Sequence, residues 1–160
     1  MTGSPVTRVI DCHVARETSE GLEFLLLRRA PGRADAGRWR IVTGKIEDGE
    51  TAWQAALREL REETGFEPFR FFAVPYINQY YEWQHDRINA IPVFVALVDD
   101  GSPVLDKEHT DFRWLPVTEA VASLLWPGQR DGLLAANALL TDDGDASEEL
   151  DLEFPTRSRD

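Results

Sequence analysis

The alternation of apolar and polar positions divides the chain into short strands around one well-marked helix. Residues 5–15 (PVTRVIDCHVA) and 22–29 (LEFLLLRR) are β-branched or continuously apolar, and the polar turn RETSEG separates them. The stretch APGRADAGR, 30–38, is rich in Gly, Pro and Ala and reads as a loop, after which WRIVTG, 39–44, is a short strand ending in glycine. Two long aromatic and β-branched strands follow at 69–84 and 88–100, joined through HDR, with Pro75 and Pro92 marking edges or bulges. DFRWLP, 111–116, is a further strand, and two helices are expected at about 117–125 and 129–140.

The helix in the middle is the sharpest element. DGE (48–50) turns the chain, Thr51 is a natural N-cap, and Gly65 supplies the stop after Thr64. Trp53, Ala56, Leu57 and Leu60 recur at i, i+3, i+4 and i+7, which predicts a core-facing stripe. At about 100° per residue, Glu59, Glu62 and Glu63 fall together on the flank of that stripe, beside the core and not opposite it. Like charges at this spacing repel by a few tenths of a kcal/mol per pair. Either the face is simply solvated and balanced by Arg58 and Arg61, or a cation belongs there.

Strands of mixed character around a central helix, followed by a closing helix, predict an α/β sandwich. With 160 residues and no internal repeat or domain-sized linker, one domain over 1–141 is expected. Residues 142–160 hold eight acids and two bases, half of the net charge of −12, with little to bury. They predict an acidic, flexible or loosely draped tail. The remaining acidity shows no basic stripe that would track a nucleic-acid polymer, whereas a small anionic ligand stays compatible if a metal screens the repulsion. No apolar run approaches the roughly 18 residues of a membrane span, and MTGSPVTRV lacks the pattern of a signal peptide. Cys12 is a lone cysteine among strand-like neighbours, read as an inert buried thiol. A cytoplasmic location, as monomer or homodimer, is the expectation.

The residues from 44 to 66, GKIEDGETAWQAALRELREETGF, place Gly44, Glu50, Arg58-Glu59-Leu60, Glu62-Glu63 and Gly65-Phe66 at a defined spacing. This resembles the Nudix box at every specified position. The resemblance implies the Nudix fold, an α/β/α sandwich with a mixed sheet, over roughly 5–140. It also implies a hydrolase in which the matching glutamates bind divalent metal, the metal bridges a substrate diphosphate, and water attacks phosphorus. The residues agree on their own terms. Three carboxylates at i, i+3 and i+4 make a hard-oxygen site suited to Mg²⁺, with Mn²⁺ an alternative. Gly44 allows close backbone approach, so its carbonyl can serve as a fourth ligand. Arg58 reaches Glu62 one turn on and can hold it in position, and Glu50 can accept from Arg58.

A base is needed to activate water. Glu62 and Glu63 are candidates, as is Glu108 in KEHTDFRWL, a point of the fold where some Nudix proteins carry such a glutamate; His109 is a lesser one. Arg28, Arg29 and Lys45 are candidates for phosphate oxygens, whereas Arg33 and Arg38 read as solvent-exposed. Trp39, Tyr76, Tyr80, Tyr81 and Trp83 offer aromatic faces for a base, with Trp39 and Tyr81 preferred, and Asn78, Gln79 and Asn89 offer polar groups.

GRWRIVTGKIEDGETAWQAALREL followed later by EHTDFRWLP is similar to the branch of the family that cleaves dihydroneopterin triphosphate and dATP. That implies a nucleoside or pterin triphosphate cut to monophosphate and pyrophosphate. A diadenosine polyphosphate or nucleotide-sugar hydrolase is the alternative, and a non-catalytic nucleotide-binding regulator is the alternative of another class. The arginine-rich element of the coenzyme A branch and the proline of the ADP-ribose branch are absent, and Cys12 gives no reason to expect an isomerase.

Overall fold

The computed structural model describes residues 4–142 and 146–152. Seven strands, β1 (Val9–Thr18), β2 (Gly21–Arg29), β3 (Trp39–Arg40), β4 (Val42–Lys45), β5 (Arg70–Glu82), β6 (Arg87–Leu97) and β7 (His109–Leu115), form one sheet. Its path runs β3-β2-β1-β6-β5, with β4 paired to β1 and β7 paired to β2. The β1–β6 pair is parallel and the others are antiparallel, so the sheet is mixed. Helix α1 (Ala52–Thr64) covers one face, and α2 (Val117–Ser123) with α3 (Pro127–Thr141) covers the other. This is the α/β/α sandwich.

Alternation along the strands feeds two cores. Ile10, Cys12, Val14, Leu25, Leu27, Phe71, Phe94 and Ala96 face α1, while Phe24, Leu26, Phe72, Val93, Val95 and Leu97 face α2 and α3. Because both faces are covered, LEFLLLRR and VFVALV read as continuous apolar runs. Cys12 is fully buried, and burial raises its thiol pKa. Pro75 sits in the register shift of β5 between Ala73 and Ile77, and Pro92 lies one residue outside the β1–β6 ladder, which opens at Asp11↔Val93.

Three expectations change. The 39–44 strand is two: β3 pairs with β2 and β4 with β1, the break falling at buried Ile41. Trp53 does not join the core stripe but is 36 % exposed, whereas Ala55, Ala56, Leu57 and Leu60 are buried. The two alanines let α1 lie close on the sheet, and a tryptophan in the first turn is left outside. The acidic segment from 142 is not loose throughout. A short helix α4 (Ala146–Glu149) leads into residues that dock on β5: Leu150 accepts from the Ala73 amide at 3.0 Å, Leu152 donates to the Phe71 carbonyl at 2.8 Å, and Asp151 pairs with Arg70 at 3.1 Å. Free backbone groups of an edge strand capture it, with Leu152 packed against the α1-side core and Leu150 against the other. Residues 153–160 lie outside the described residues. No described helix is long and apolar enough to cross a membrane.

One buried group makes a stability prediction. His13 sits on the α3 side of β1, 1 % exposed, with no hydrogen-bond partner for either ring nitrogen among the described residues. Burial lowers its pKa from 6.5 to about 3. The unfolded chain therefore binds a proton that the folded chain refuses. The contribution is complete above pH 6.5 and is lost as pH falls from there toward 3, by an amount on the order of several kcal/mol. Buried Asp11, raised from 3.8 to about 6 mainly by desolvation, acts oppositely, losing stability as pH rises between those values. Urea unfolding at pH 7 and pH 4 should show His13→Leu losing less stability on acidification than wild type. An equal loss would place the acid sensitivity elsewhere.

Candidate metal and phosphate cleft

Helix α1 is placed by its ends. Thr51 Oγ1 accepts from the Gln54 amide at 3.2 Å while Gln54 Oε1 accepts from the Thr51 amide at 2.9 Å, a reciprocal capping box. Gly65 closes the helix in the left-handed region, φ 73°. With Leu60 pinned in the core, the three acids take graded positions. Glu63 is 3 % exposed, the Glu59 side chain 15 %, and the Glu62 side chain 57 %.

Arg58 organises this face. Its guanidinium donates to Glu50 at 2.7 and 2.9 Å, to Glu59 at 2.8 Å, to Glu62 at 3.3 Å and to the Lys45 carbonyl at 2.9 Å. Glu50, which also accepts from the Glu47 amide, is held below the usual carboxylate range by Arg58. Gly44 faces the same group. A Cβ at 44 would overlap the Glu59 carboxyl, so any larger residue there would have to displace that side chain.

Glu63 turns the other way. Its Oε1 lies 3.6 Å from His109 Nε2, and His109 Nδ1 lies 2.8 Å from Asp106. Among the described residues Glu63, Asp106 and His109 bring one ligand atom each within 4.8 Å of one another. Glu63 Oε2 and His109 Nε2 are buried without a hydrogen-bond partner among the described residues. Burial first, then the charge of Glu59, raises Glu63 to about pKa 9. Burial also holds His109 below its ordinary value, against the pull of Asp106. A buried carboxylate oxygen with no donor, beside other hard oxygens, fits a divalent cation, whose charge would return Glu63 to its ionised form.

These groups border a cleft of about 690 Å³ lined by Gly44, Lys45, Glu59 and Glu62 on one side and Arg29, Arg33, Asp106 and Glu108 on the other. The β2–β7 pairing sets Arg29 opposite His109, which brings Arg29 within 3.2 Å of Glu108; Arg33 is 3.6 Å from the same carboxylate. Arg33 thus lines the cleft and is not merely solvated.

Several expected contributors lie elsewhere. Arg28 is exposed and points across the opposite side of β2 from Arg29, toward Gly37. Trp39 carries Arg113 at 4.3 Å over its ring and packs on the α2–α3 core, so its face is already covered. Tyr81 is at the tip of the β5–β6 hairpin, where its hydroxyl donates to Asp86 at 2.6 Å, and it lines neither this cleft nor the pocket beside it. Asn89 donates to Glu82 at 2.8 Å. Sequence reasoning missed Asp106 and Arg40, the latter lining the cleft. Asp106 follows no local periodicity, although its spacing of three from His109 was a signal available beforehand.

A NUDIX domain model matches residues 6–136 of the chain. The chain belongs to the Nudix family of hydrolases. Among curated relatives of this Nudix chain, an octanoyltransferase of Myxococcus xanthus is 32 % identical over 142 residues, covering 84 % of this chain and 38 % of that protein. The chain therefore spans little more than a third of that relative's length. The asymmetrical bis(5'-nucleosyl)-tetraphosphatase of Sus scrofa is 29 % identical over 112 residues, covering 67 % of this chain and 73 % of the relative. Among solved structures, the E. coli dihydroneopterin triphosphate pyrophosphohydrolase superposes with TM-score 0.64 at 22 % identity, covering 83 % of this chain and 95 % of that one, which is a likeness of fold.

Proposed function

We propose that this Nudix chain is a Mg²⁺-dependent pyrophosphohydrolase that cleaves a nucleoside triphosphate-like substrate, of the dATP or dihydroneopterin triphosphate type, to monophosphate and pyrophosphate. The observation that carries the reading is the cleft itself, where box carboxylates Glu59 and Glu62, with Lys45 beside them, face the cations Arg29 and Arg33 across a space wide enough for a triphosphate. Glu59, Glu62 and Glu63, with the Gly44 carbonyl, would hold Mg²⁺ or Mn²⁺. When bound, such an ion neutralises phosphate charge and makes a coordinated water more acidic. Arg58 fixes Glu59 and Glu62 so that neither must reorganise during turnover. Arg29 and Arg33 bind phosphate oxygens, by forks of two donors, and Lys45 adds a point charge. Glu108, 40 % exposed at its side chain and restrained by both arginines, would take a proton from water at the cleft edge. His109, locked to Asp106, positions Glu63.

Dinucleoside polyphosphate hydrolysis is the second reading, favoured by the similarity to the Sus scrofa bis(5'-nucleosyl)-tetraphosphatase. One panel tests both: purified protein with Mg²⁺ and dATP, other nucleoside triphosphates, dihydroneopterin triphosphate, diadenosine polyphosphates, ADP-ribose and NADH, read by pyrophosphate and phosphate release. The expected result is pyrophosphate from a triphosphate, abolished by chelator. Release from dinucleotides alone selects the second reading. Silence across the panel, with nucleotide still binding tightly, would make the protein a regulator.

A further inference from the structure

The metal cleft opens, through Val9, Arg40 and Thr43, into a second pocket of about 520 Å³. Its walls include Ile91, the exposed rings of Tyr80 and Trp126, and the amides of Asn78 and Gln129; Asp11 lies at its floor. β1 brings Asp11 there because the alternation that sends Ile10 and Cys12 to the α1 core turns Asp11 and His13 to the α3 side. The first turn of α3 closes the wall, and a Cβ on Gly128 would overlap the Asn78 carboxamide. None of these groups belongs to the Nudix box.

Asp11 is a carboxyl group 1 % exposed, held chiefly by neutral donors: Asn78 Nδ2 donates to Oδ2 at 3.2 Å and Gln129 Nε2 to Oδ1 at 3.5 Å, with the Thr43 side chain adding to them and the Arg40 charge acting from the same pocket. Burial pushes the Asp11 carboxyl up to about 6, and those hydrogen bonds with the Arg40 charge hold it there, which leaves it ionised at neutral pH. The bond from Gln129 is at the outer limit of hydrogen bonding. Gln129 is half-buried at the pocket wall, so it is the group that an incoming donor can displace.

We propose that this pocket receives the heterocycle of the substrate, and that Asp11 selects a ring presenting two adjacent N–H donors, the 2-amino-4-oxopyrimidine edge shared by guanine and pterins. An ionised carboxylate only accepts. A ring N–H beside an exocyclic amine meets its two oxygens in parallel, as a guanidinium does. Adenine offers one donor beside a ring-nitrogen lone pair, which would face an oxygen and leave a buried polar group unpaired, the kind of mismatch that discriminates strongly. Tyr80 and Trp126 supply faces for stacking. The positive end of α3, a 15-residue helix, suits the ring carbonyl beside those donors. The inference rests on the preceding reading only in that the adjoining cleft takes the phosphates.

Binding of monophosphates by calorimetry tests the pocket without turnover or metal. Guanosine or neopterin monophosphate should bind at least about 10-fold more tightly than adenosine monophosphate, and guanosine at least about 10-fold more tightly than inosine monophosphate, which lacks the 2-amino group. Asp11→Asn should remove most of each preference, by weakening guanosine and neopterin monophosphate binding. Preference for guanosine alone or neopterin alone names the source of the ring, and either supports the assignment. Equal binding of all four, tighter binding of adenosine, no binding of guanosine or neopterin, or a preference intact in Asp11→Asn overturns it. The guanosine–inosine comparison needs only wild-type protein, so a variant that failed to fold would not blunt the test. A clear ring preference with no triphosphate hydrolysed would defeat the proposed reaction and leave the pocket assignment standing; hydrolysis without ring preference would do the reverse.

Discussion

Glu62→Gln is expected to lower kcat/KM for the best triphosphate by about a thousandfold, equivalent to roughly 4 kcal/mol of transition-state stabilisation. Glu62 is the box carboxylate most open to the cleft, with 57 % of its side chain exposed. Its hydrogen bond to Arg58, at 3.3 Å, is the longest that the guanidinium makes. Removing its charge while keeping its shape should leave stability within about 0.5 kcal/mol, as at other exposed positions. Steady-state kinetics beside a urea melt separates the two effects. A wild-type rate in a well-folded variant would remove Glu62 from the metal set, and a large loss of stability would mean that the kinetic defect reports folding.

Gly44→Ala should cost about a hundredfold in turnover with a modest loss of stability, about 1–3 kcal/mol, as expected for overpacking a close contact. The added methyl has no room, because the Glu59 carboxyl and its Cγ already occupy the place. To swing away, Glu59 would have to give up its 2.8 Å hydrogen bond from Arg58. The distinguishing readout is a double-mutant cycle. In Gly44→Ala combined with Glu59→Ala the steric conflict is gone, so stability should recover while activity stays low, and the two stability effects should be non-additive. Additive stability losses, or normal turnover in Gly44→Ala, would show that the approach of Glu59 to residue 44 does not matter to the site.

Local features were the legible ones. The capping box at Thr51, the stop at Gly65, the alternating strands and the spacing of the three glutamates are all carried by residues within a turn or two of one another, where propensity and hydrogen-bond geometry act directly. The same locality explains the misjudged residues. Trp39 and Tyr81 have the right chemistry for a base, but whether an aromatic face is open depends on what packs on it, and Arg113 and the hairpin tip answer that from outside the segment. Trp53 has the right helical phase, yet in the first turn of α1 it is left 36 % exposed.

By itself, then, the order of residues determined the box, the central helix and its acidic flank, and the alternation that builds a two-faced sheet, since each depends on period and neighbour alone. Only the tertiary structure decided what those parts do together. It buried Glu63 against His109 and Asp106, more than 40 residues away in the chain, and set Arg29 beside Glu108 across the β2–β7 pairing. It also gathered Asp11, Asn78 and Gln129 around one pocket. Such meetings follow from strand order and from which face each helix covers, and burial then sets their charge by desolvation, a quantity that no local pattern encodes.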